Sequence, residues 1–347
     1  MQIVLTTPSL NPEIGGPAIS ISNIYNKLKE KKVHVNCVTK LSEKIPLHTS
    51  RVIHNFGIWT PFNNLVSFYA RKKNIPEVIC PMGMLEPWAL SQKKFKKKIA
   101  WSLYQKYNLD LAMAIQCTGF LEAENIRSLG IKSCIAIIPH GINFIDNIKK
   151  QAIHKDESHL RILFLSRIHP KKGLIELVDA CAQLKSTHWT VTIAGPDNDN
   201  YMNVIQKKIN TLGLKDHFNF LGPVYGEQKN NLFINSDLFV LPTYSENFGL
   251  VVGEALSAGL PVITTNATPW QEINDFKCGW AIPTGTESLL VTLNNVFNIP
   301  KSELRAMGKR GQSYIRKNYD WDFIIDKHIN LYQWILYGGK KPDFLFD

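Results

Sequence analysis

Short apolar runs alternate with amphipathic stretches along the first half of the chain. The run QIVLT at 2–6 is typical of a buried strand, and residues 17–32 place Ile21, Ile24 and Leu28 at helical spacing. Further apolar runs follow, with helical stretches between most of them: VHVNCVT, VIHNF, EVIC, LAMAIQC and CIAIIP. Strands that alternate with helices predict a parallel sheet covered by helices.

The pattern begins again after a polar, linker-like segment at 154–159. A new buried strand, LRILFLS, precedes the helical stretch GLIELVDACAQL and the later strands WTVTIAG, FNFLG, LFVLP and LPVITT. A length of 347 residues also suits two domains better than one. We therefore predict an α/β fold of two Rossmann-like, doubly wound parallel-sheet domains that face a central cleft. The predicted bounds are 1–155 and 156–318, with a helical tail at 319–347 that packs back towards the first domain.

Composition and the N-terminal segment favour a globular cytoplasmic protein. Hydrophobic residues make up 44% of the chain and charged residues 20%, which is ordinary for a globular protein. The N-terminus MQIVLTTPSL has no basic leader, and no window holds eighteen uninterrupted apolar residues, so we expect neither a signal peptide nor a membrane span. None of the six cysteines lies in a C-x-x-C pair, which favours buried thiols in a reducing compartment.

The net charge of +11 is unevenly placed. Residues 1–155 carry 21 Lys and Arg against 9 Asp and Glu, whereas the remainder carries 19 against 20. The densest basic run is Lys93, Lys94, Lys96, Lys97 and Lys98. A lysine run is most often a solvated helix face, but its place in the basic half favours peripheral binding to an anionic membrane surface. Nucleic acid ranks lower, because no nucleic-acid motif accompanies the run.

The strongest chemical pattern is TYSENFGLVVGEALSAGLPVI at 243–263. Glu246 lies in the loop after a strand, Gly249 begins a helix, and Glu254 lies two turns further along it. Carboxylates accept hydrogen bonds from sugar hydroxyls, and the free N–H groups at a helix start hold phosphate. Two acidic residues on a helix usually form a solvated face, but the apolar neighbours of Glu254 make that explanation less suitable here.

A second pattern, LFLSRIHPKKGL, places cations in the loop after the first strand of the second domain. Arg167 and Lys172 occupy the phosphate-binding position of a Rossmann-type unit, while Lys171 fits an exposed lysine better. The loop has no G-x-G-x-x-G, which argues against NAD or FAD. In the first domain, Gly15 and Gly16 lie in the loop before the first helix, a weaker pattern of the same kind.

Together these motifs make the chain resemble glycosyltransferase family 4, a retaining class with the GT-B fold. The segments that match, in family order, are Gly15-Gly16-Pro17, HNFGIW, PMGMLEPWAL, TGFLE, IPHGIN, SRIHPKKG, TYSENFGLVVGEAL and TPWQEI with CGW. The resemblance covers nearly the whole chain. It implies that the first domain receives an acceptor and that the second holds a nucleotide diphosphate sugar.

The resemblance also assigns residues. It implies that Glu246 contacts the donor sugar and Glu254 the ribose, that Arg167 and Lys172 neutralise the diphosphate, and that Gly16 lines the phosphate side. The remaining donor-binding positions are Asn247, Phe248, Gly249 and Leu250, and the acceptor-side positions are Met82, Gly83 and Glu86. His54 joins Glu246, Arg167 and Lys172 as a catalytic candidate, although a buried core histidine is an equally good interpretation.

Two positions depart from the family pattern. Met82 stands where the family often has histidine or arginine, and methionine neither carries charge nor donates a strong hydrogen bond. His140 replaces the usual asparagine in a turn that we expect to be structural. Glu122 is expected to cap a helix. The acidic run at 197–199 suggests a metal, but Arg167 and Lys172 already supply positive charge, so we expect no metal and no other cofactor.

We therefore expect a retaining hexosyltransferase that uses a UDP- or GDP-linked donor and a saccharide acceptor, which we expect to be lipid-linked. The implied pathway is bacterial lipopolysaccharide, O-antigen or capsule synthesis on the inner face of the cytoplasmic membrane. Alternatives are a sugar-nucleotide-binding protein without turnover, a glycoside phosphorylase on the same fold, and a basic nucleic-acid-binding protein.

Overall fold

The computed structural model describes residues 1–11, 16–40, 51–145 and 157–347 in two compact units. The first unit is Met1–Gly141 with Trp321–Asp347, and the second is Ile142–Asp320. The division after Gly141 comes earlier than the bound at 155 that the sequence suggests. Its physical reason is Ile142, whose side chain lies in the core of the second unit and whose N–H donates to the Tyr319 carbonyl at 2.8 Å.

The first unit is built on a seven-stranded sheet in the order β13-β6-β5-β4-β3-β1-β2. All pairs are parallel except the antiparallel pair β13–β6. The strands are β1 (Gln2–Thr6), β2 (His34–Val38), β3 (Val52–Phe56), β4 (Glu77–Cys80), β5 (Ala114–Cys117), β6 (Ile135–Ile137) and β13 (Leu345–Phe346). The chain moves from β1 to β2 on one side and to β3 on the other, so the direction of winding reverses between β1 and β3.

Helices connect these strands, and the last helix of the chain belongs to the same unit. They are α1 (Gly16–Glu30), α2 (Pro61–Lys72), α3 (Pro87–Ser91), α4 (Lys94–Ala100), α5 (Lys106–Asp110), α6 (Phe120–Ser128) and α13 (Trp321–Tyr337), with a π-helical turn at Trp101–Gln105. Helix α13 buries Trp321, Ile324, Ile325, Leu331 and Tyr332 in the core with β1 and β3. Its apolar face is therefore part of the core of this unit.

The second unit has a six-stranded, wholly parallel sheet in the order β12-β11-β10-β7-β8-β9. The strands are β7 (Leu160–Leu165), β8 (Trp189–Ala194), β9 (Phe218–Gly222), β10 (Leu238–Leu241), β11 (Val262–Thr265) and β12 (Gly279–Ile282). The helices are α7 (Leu174–Cys181), α8 (Met202–Thr211), α9 (Gly226–Ile234), α10 (Leu250–Ser257), α11 (Thr286–Phe297) and α12 (Lys301–Asn318). The chain winds outwards from β7 through β8 and β9, then crosses to β10, so the winding reverses between β7 and β10.

No helix among the described residues is long and apolar enough to cross a membrane. Strands β10 and β11 of the second sheet are buried at all four positions, whereas the edge strand β9 is partly exposed. This is the pattern of a parallel sheet that helices cover on both sides.

Three buried histidines gather in the core of the first unit. His54 on β3 joins its Nδ1 to the Tyr332 hydroxyl at 2.7 Å and stacks on Phe56 at 4.1 Å, while its ring lies 5.8 Å from that of His328. Burial lowers the pKa of His140 to about 4, and burial with His140 nearby lowers the pKa of His328 to about 3. Burial, and then His328, hold the pKa of His54 well below its usual range.

Two carboxyls of the same unit are shifted in the opposite direction. Burial raises the pKa of Glu77 and of Glu122 to about 7. Glu77 nevertheless accepts hydrogen bonds from Ser67 at 2.7 Å and from Asn55 at 2.9 Å, which partly offset its desolvation. The core of the first unit thus keeps these three histidines neutral, and it holds these two carboxyls ready to accept protons near neutral pH.

We expect His328→Leu to reduce the acid sensitivity of the fold. Below pH ~6.5 the unfolded chain protonates this histidine while the folded core does not, so the free energy of unfolding falls by about 1.4 kcal/mol per pH unit until the folded pKa is reached. Urea unfolding at several pH values should show the variant losing about 2–3 kcal/mol less than the wild type between pH ~6.5 and ~4.5. Glu77 and Glu122 have the opposite effect: their contribution to the free energy of unfolding rises as pH falls from ~7 to ~4.5. This contribution is the same in the wild type and in the variant, so it does not affect the difference between them.

The matched control is His34→Leu, since His34 lies exposed on β2 of the same unit. Its pH profile should parallel that of the wild type. Equal slopes for His328→Leu and the wild type would contradict the assignment of a strongly lowered pKa to His328.

Candidate functional site

Two loops meet where the winding of the second sheet reverses. One follows β7 and the other follows β10, and ligands of doubly wound sheets bind beyond the carboxyl ends of strands at such a point. The loops touch directly: a Cβ added at Gly173 would lie 2.0 Å from the Pro242 carbonyl oxygen. Gly173 also has φ +72°, so this approach requires glycine both for space and for conformation.

Hydrogen bonds fasten the two loops together. The carbonyl of Lys171 accepts the Tyr244 N–H at 2.8 Å and the Thr243 hydroxyl at 3.0 Å. The end of β11 joins them, because the hydroxyl of its last residue, Thr265, donates to the Thr243 carbonyl at 2.6 Å. The backbone of the cationic loop is therefore held against the backbone of the acidic loop.

An ion pair between Lys172 and Glu246 joins the same loops through side chains. The two side chains are only 11% and 13% exposed, so the charges are held mostly away from water. The Glu246 N–H donates to the Ala267 carbonyl at 3.1 Å, which orients this residue against the loop after β11. The structure thus brings together two of the predicted catalytic residues, but pairs them with each other.

Arg167, the other cation of this loop that is predicted to bind phosphate, is placed differently from Lys172. Arg167 is exposed and has no ion-pair partner among the described residues. His169 beside it accepts the Lys171 N–H on its Nδ1 at 3.0 Å and caps the short helical turn that follows. Burial and then Arg167 lower the pKa of His169, which therefore favours the neutral form that this cap requires.

Helix α10 begins directly after the acidic loop. Gly249 precedes it in the left-handed conformation, with φ +73° and ψ +58°, and Leu250 is its first residue. The carbonyl of Phe248 accepts a hydrogen bond from the indole N–H of Trp270, and the rings of these two residues lie 5.1 Å apart. Packing and this hydrogen bond thus hold the loop from Asn247 to Gly249 next to the first turn of α10, where the leading N–H groups of a helix have no partner within the helix.

Glu254 lies further along α10, and its carboxylate pairs with Lys229 on α9 at 2.7 Å. Both side chains are 26% exposed, so this pair lies nearer water than the pair of Lys172 and Glu246. Sequence reasoning missed Lys229. Its only signal is a lysine in the polar stretch GEQKNN, which carries no motif.

Two other polar contacts at this edge were also not foreseen. The Tyr244 hydroxyl donates to Glu176 on α7 at 2.6 Å, and this contact with partial burial raises the pKa of Tyr244 to about 12. Asp197, from the acidic run considered as a metal site, instead accepts the N–H groups of Tyr201 and Met202 at 2.9 Å each. Its carboxylate caps the start of α8, which explains an aspartate there without a metal.

The acceptor-side candidates of the first unit lie in the turn after β4. Met82 and Gly83 are both left-handed, with φ +54° and +74°, and Glu86 is buried at the start of α3. Glu122 holds this turn, because one carboxylate oxygen accepts the Gly83 N–H at 2.7 Å and the other accepts the Thr118 N–H at 2.8 Å. Glu122 lies in the first turn of α6 as expected, but it bonds to Thr118, one residue before the N-cap Gly119, and the N-cap itself has no side-chain hydrogen bond. The bond to the turn is a role that the sequence did not suggest.

The other first-unit candidates are less informative. Gly16 is the first residue of α1, while Gly15 falls outside the described residues. His54 is fully buried and hydrogen-bonded to Tyr332, so its geometry is that of the core histidine, the second of the two interpretations. His140 is also buried, as suits the structural turn expected there.

Comparison with known proteins gives a family match within the second unit of the chain. Residues 145–314 match the family model described as "Glycosyl transferases group 1". The matched region, which we call the group 1 domain, lies wholly within the second unit. That domain contains both loops of the candidate site and the whole of α10.

The entire chain, including the part outside the group 1 domain, is similar in fold to solved structures. Sucrose-phosphate synthase from Thermosynechococcus elongatus has a TM-score of 0.80 at 18% identity, covering 98% of this chain and 100% of that one. Anabaena HepE, in complex with UDP-glucose, has a TM-score of 0.72 at 19% identity, covering 95% and 99%. The predicted GT-B fold, with two parallel-sheet α/β domains, is confirmed.

Sequence relatives extend beyond the group 1 domain. Phosphatidyl-myo-inositol mannosyltransferase of Mycobacterium leprae is 26% identical over 271 residues, which are 75% of this chain and 64% of that protein. Two further curated relatives are matched over 47% and 37% of their lengths. The chain therefore covers less than two thirds of each of these three relatives.

The ion pair of the group 1 domain can be weighed by a double-mutant cycle. We expect Lys172→Met and Glu246→Gln each to lower the free energy of unfolding by about 1–3 kcal/mol, since each leaves the other group buried without its partner. The double variant should cost clearly less than the sum, with a coupling of about 1–3 kcal/mol in urea unfolding.

The control cycle uses Lys208 and Asp179, which pair at 2.7 Å with side chains 33% and 32% exposed. Water screens this pair, so its coupling should stay below about 1 kcal/mol. If the coupling energy between Lys172 and Glu246 is no larger than that of the control pair, burial does not strengthen this ion pair.

Proposed function

We propose that the protein is a retaining glycosyltransferase that transfers a hexose-type sugar from a UDP- or GDP-linked donor to a saccharide acceptor. The observation that carries this proposal is the meeting of Arg167, Lys172 and Glu246 with the start of α10 where the winding reverses in the group 1 domain. The UDP-glucose bound by HepE, a protein of the same fold, supports a nucleotide sugar as donor.

The donor's two ends require different chemistry, and the site offers both. A diphosphate needs positive charge and N–H donors, for which Arg167 and the first turn of α10 are suited. Sugar and ribose hydroxyls need acceptors, and Glu246 and Glu254 are carboxylates on the same loop and helix. We assign Glu246 to the donor sugar and Glu254 to the ribose, with Asn247, Phe248, Gly249 and Leu250 shaping the loop between them.

The proposed reaction breaks the bond between the anomeric carbon and the leaving phosphate oxygen. Negative charge grows on that oxygen, where Arg167, Lys172 and the α10 amides would stabilise it, and loss of one such donor typically costs about 3 kcal/mol. The acceptor hydroxyl attacks from the face that the diphosphate leaves, and its proton passes to the leaving phosphate. The anomeric configuration is thereby retained without a covalent bond to the protein.

The acceptor side of the proposal rests on the first unit. We propose that the acceptor is a saccharide on a lipid carrier in lipopolysaccharide, O-antigen or capsule synthesis. The turn of Met82, Gly83 and Glu86 is proposed to meet it, and the lysine run at 93–98 to hold the protein at an anionic membrane on its cytoplasmic side. The supporting observation is that Lys93, Lys94, Lys96 and Lys98 are all exposed.

The donor assignment predicts a separation between two glutamine variants. Glu246→Gln should lower the rate of transfer, or of slow donor hydrolysis, by about a hundredfold or more, with little effect on binding of the free nucleoside diphosphate. Glu254→Gln should weaken binding of that diphosphate about tenfold, because its ribose contact persists without the sugar. Calorimetry with UDP and GDP, and a coupled assay of nucleotide release, measure the two effects.

Glu303→Gln on α12 is the matched control, since Glu303 is exposed and pairs with Arg310 at 2.7 Å away from both loops. The first step is a thermal-shift screen of nucleotide sugars, in which a ligand at ~100 times its dissociation constant stabilises by about 2.7 kcal/mol. If no UDP- or GDP-linked sugar stabilises the wild type, the proposed donor class is wrong.

We also expect the reaction to proceed without a divalent metal, because Arg167 and Lys172 supply positive charge at the proposed phosphate site. Activity measured in excess chelator should equal that in buffer alone. A complete loss that added magnesium or manganese restores would overturn this assignment of the two cations.

A further inference from the structure

A row of four strongly exposed apolar side chains lies on one helical segment of the first unit. Phe95, Ile99, Leu103 and Tyr107 are 84%, 62%, 75% and 59% exposed, and they recur every fourth residue. They span α4, the π-helical turn at Trp101–Gln105 and α5, a continuous helical run of about 25 Å. We call these four residues the apolar ridge.

The π-helical turn keeps the apolar ridge straight. In an α-helix of ~3.6 residues per turn, residues four apart drift by about 40° at each step, so four of them would wind around the helix. A π-turn closes i→i+5 bonds and rotates less per residue. Because the turn lies between Ile99 and Tyr107, it offsets the drift and holds the four side chains on the solvent face.

The opposite face of the segment is buried and combines polar side chains with the apolar Leu109, whereas a helix ordinarily turns its apolar side chains inwards. Gln105 and Asn108 are 3% and 2% exposed. Gln105 accepts the Trp59 N–H at 3.1 Å, and Asn108 accepts a hydrogen bond from Arg71 at 2.6 Å. These two polar groups of the inner face therefore have hydrogen-bond partners. On the ridge, the Tyr107 ring lies 5.1 Å from the Arg71 guanidinium carbon, while Phe95, Ile99 and Leu103 belong to none of the hydrophobic clusters formed by the described residues of this unit. An exposed apolar surface of this size marks an interaction site.

The lysine run surrounds the start of the apolar ridge, but only part of it faces solvent. Lys93, Lys94, Lys96 and Lys98 are exposed, whereas Lys97 turns inwards. Its ammonium donates to the Ala89 carbonyl at 2.5 Å and lies 5.6 Å from the centre of the Trp59 ring. The surface thus combines four exposed lysines with four exposed apolar side chains.

We propose that the apolar ridge lies in the interfacial layer of an anionic lipid bilayer, parallel to its plane, with the four exposed lysines at the level of the lipid phosphates. Helices that bind in this manner carry large apolar side chains beside lysines, whose long stems allow the ammonium groups to reach the headgroups. The inference deepens the proposed function, on which it rests for a membrane-borne acceptor. It adds apolar insertion to the charge attraction already proposed there.

A protein partner fits this surface less well. Lysine is depleted in the buried centres of protein interfaces, yet here four lysines stand among the apolar side chains. The apolar ridge is one helix wide and protrudes, whereas a protein partner would have to enclose it in a groove and desolvate those lysines. A bilayer accepts apolar side chains without a groove and leaves the ammonium groups hydrated.

The test is flotation with two kinds of vesicle, one of phosphatidylcholine alone and one with an equal amount of phosphatidylglycerol. The wild type should float with the anionic vesicles, and raised salt should weaken this binding without abolishing it, because screening acts on the lysines and not on apolar insertion. Hydrogen exchange of the amides at 94–110 should slow on vesicle binding.

Two variants separate the contributions. The combined change Phe95→Ser, Ile99→Ser and Leu103→Ser should remove the salt-resistant binding and lower the partition coefficient at least about tenfold. Changing Lys93, Lys94, Lys96 and Lys98 to Gln should remove the salt-sensitive part and the preference for anionic vesicles. Both proteins should keep the thermal shift with a nucleotide sugar, since none of the substituted residues is a proposed donor residue.

Matched controls come from the second unit. Val204→Ser, Leu221→Ser and Val291→Ser remove three exposed apolar side chains, and Lys185, Lys207, Lys215 and Lys309 to Gln remove four exposed charges. Neither set should change flotation. The proposal is overturned if the serine variant of the apolar ridge floats like the wild type at both salt concentrations, or if the wild type fails to float and the apolar ridge instead mediates self-association in light scattering.

The proposed function and this inference can fail separately. If vesicle binding depends on the apolar ridge but no nucleotide sugar stabilises the protein, the donor assignment fails and the membrane surface stands. If a nucleotide sugar binds and is hydrolysed while no vesicle is bound, the donor site stands and the membrane surface fails.

Discussion

The ion pair of Lys172 and Glu246 is the contact on which the candidate site depends. It exists because β7 and β10 are neighbours in the sheet although more than seventy residues of chain separate them. Their carboxyl ends deliver a cationic loop and an acidic loop to the same place. Gly173 permits the contact, since any side chain there would meet the Pro242 carbonyl. The charge chemistry of the site thus follows from sheet topology and one glycine.

This pairing also constrains how a donor could bind. Lys172 already has a carboxylate partner, so a phosphate at the proposed position would have to share or displace Glu246. Arg167 is exposed and without an ion pair in the described structure, and it can meet an anion at no such cost. We therefore expect Arg167 to dominate the first attraction of a diphosphate and Lys172 to act once a sugar hydroxyl has taken over Glu246. Lys229 and Glu254 form a second pair that lies nearer water. A ribose hydroxyl that binds Glu254 would likewise have to share this carboxylate with Lys229 or displace Lys229.

Much of this arrangement could be predicted from the sequence, for reasons that individual residues make plain. Local patterns located the strands, and the order of apolar runs implied two parallel sheets, so the loops of Arg167 and Glu246 could be placed at strand ends. Partners could not be predicted in the same way. Lys229 comes from a helix with no motif, and Asp197 serves as a cap that only the turn geometry reveals. His54 suits a strand end in sequence, yet Tyr332, which is 278 positions away, makes it a core residue.

The helical run from Lys94 to Asp110 shows a different limit of sequence patterns. Apolar residues four apart ordinarily indicate the buried face of a helix, and on that rule Phe95, Ile99 and Leu103 would point inwards. The structure instead buries Gln105 and Asn108 beside Leu109, and Trp59 and Arg71 supply the hydrogen bonds that the two polar side chains need. Phe95, Ile99 and Leu103 lie on the opposite side of the helix and remain exposed to solvent. Water solvates the four exposed lysines well but not these apolar side chains. The proposed anionic lipid interface would accommodate the apolar side chains and the lysines together.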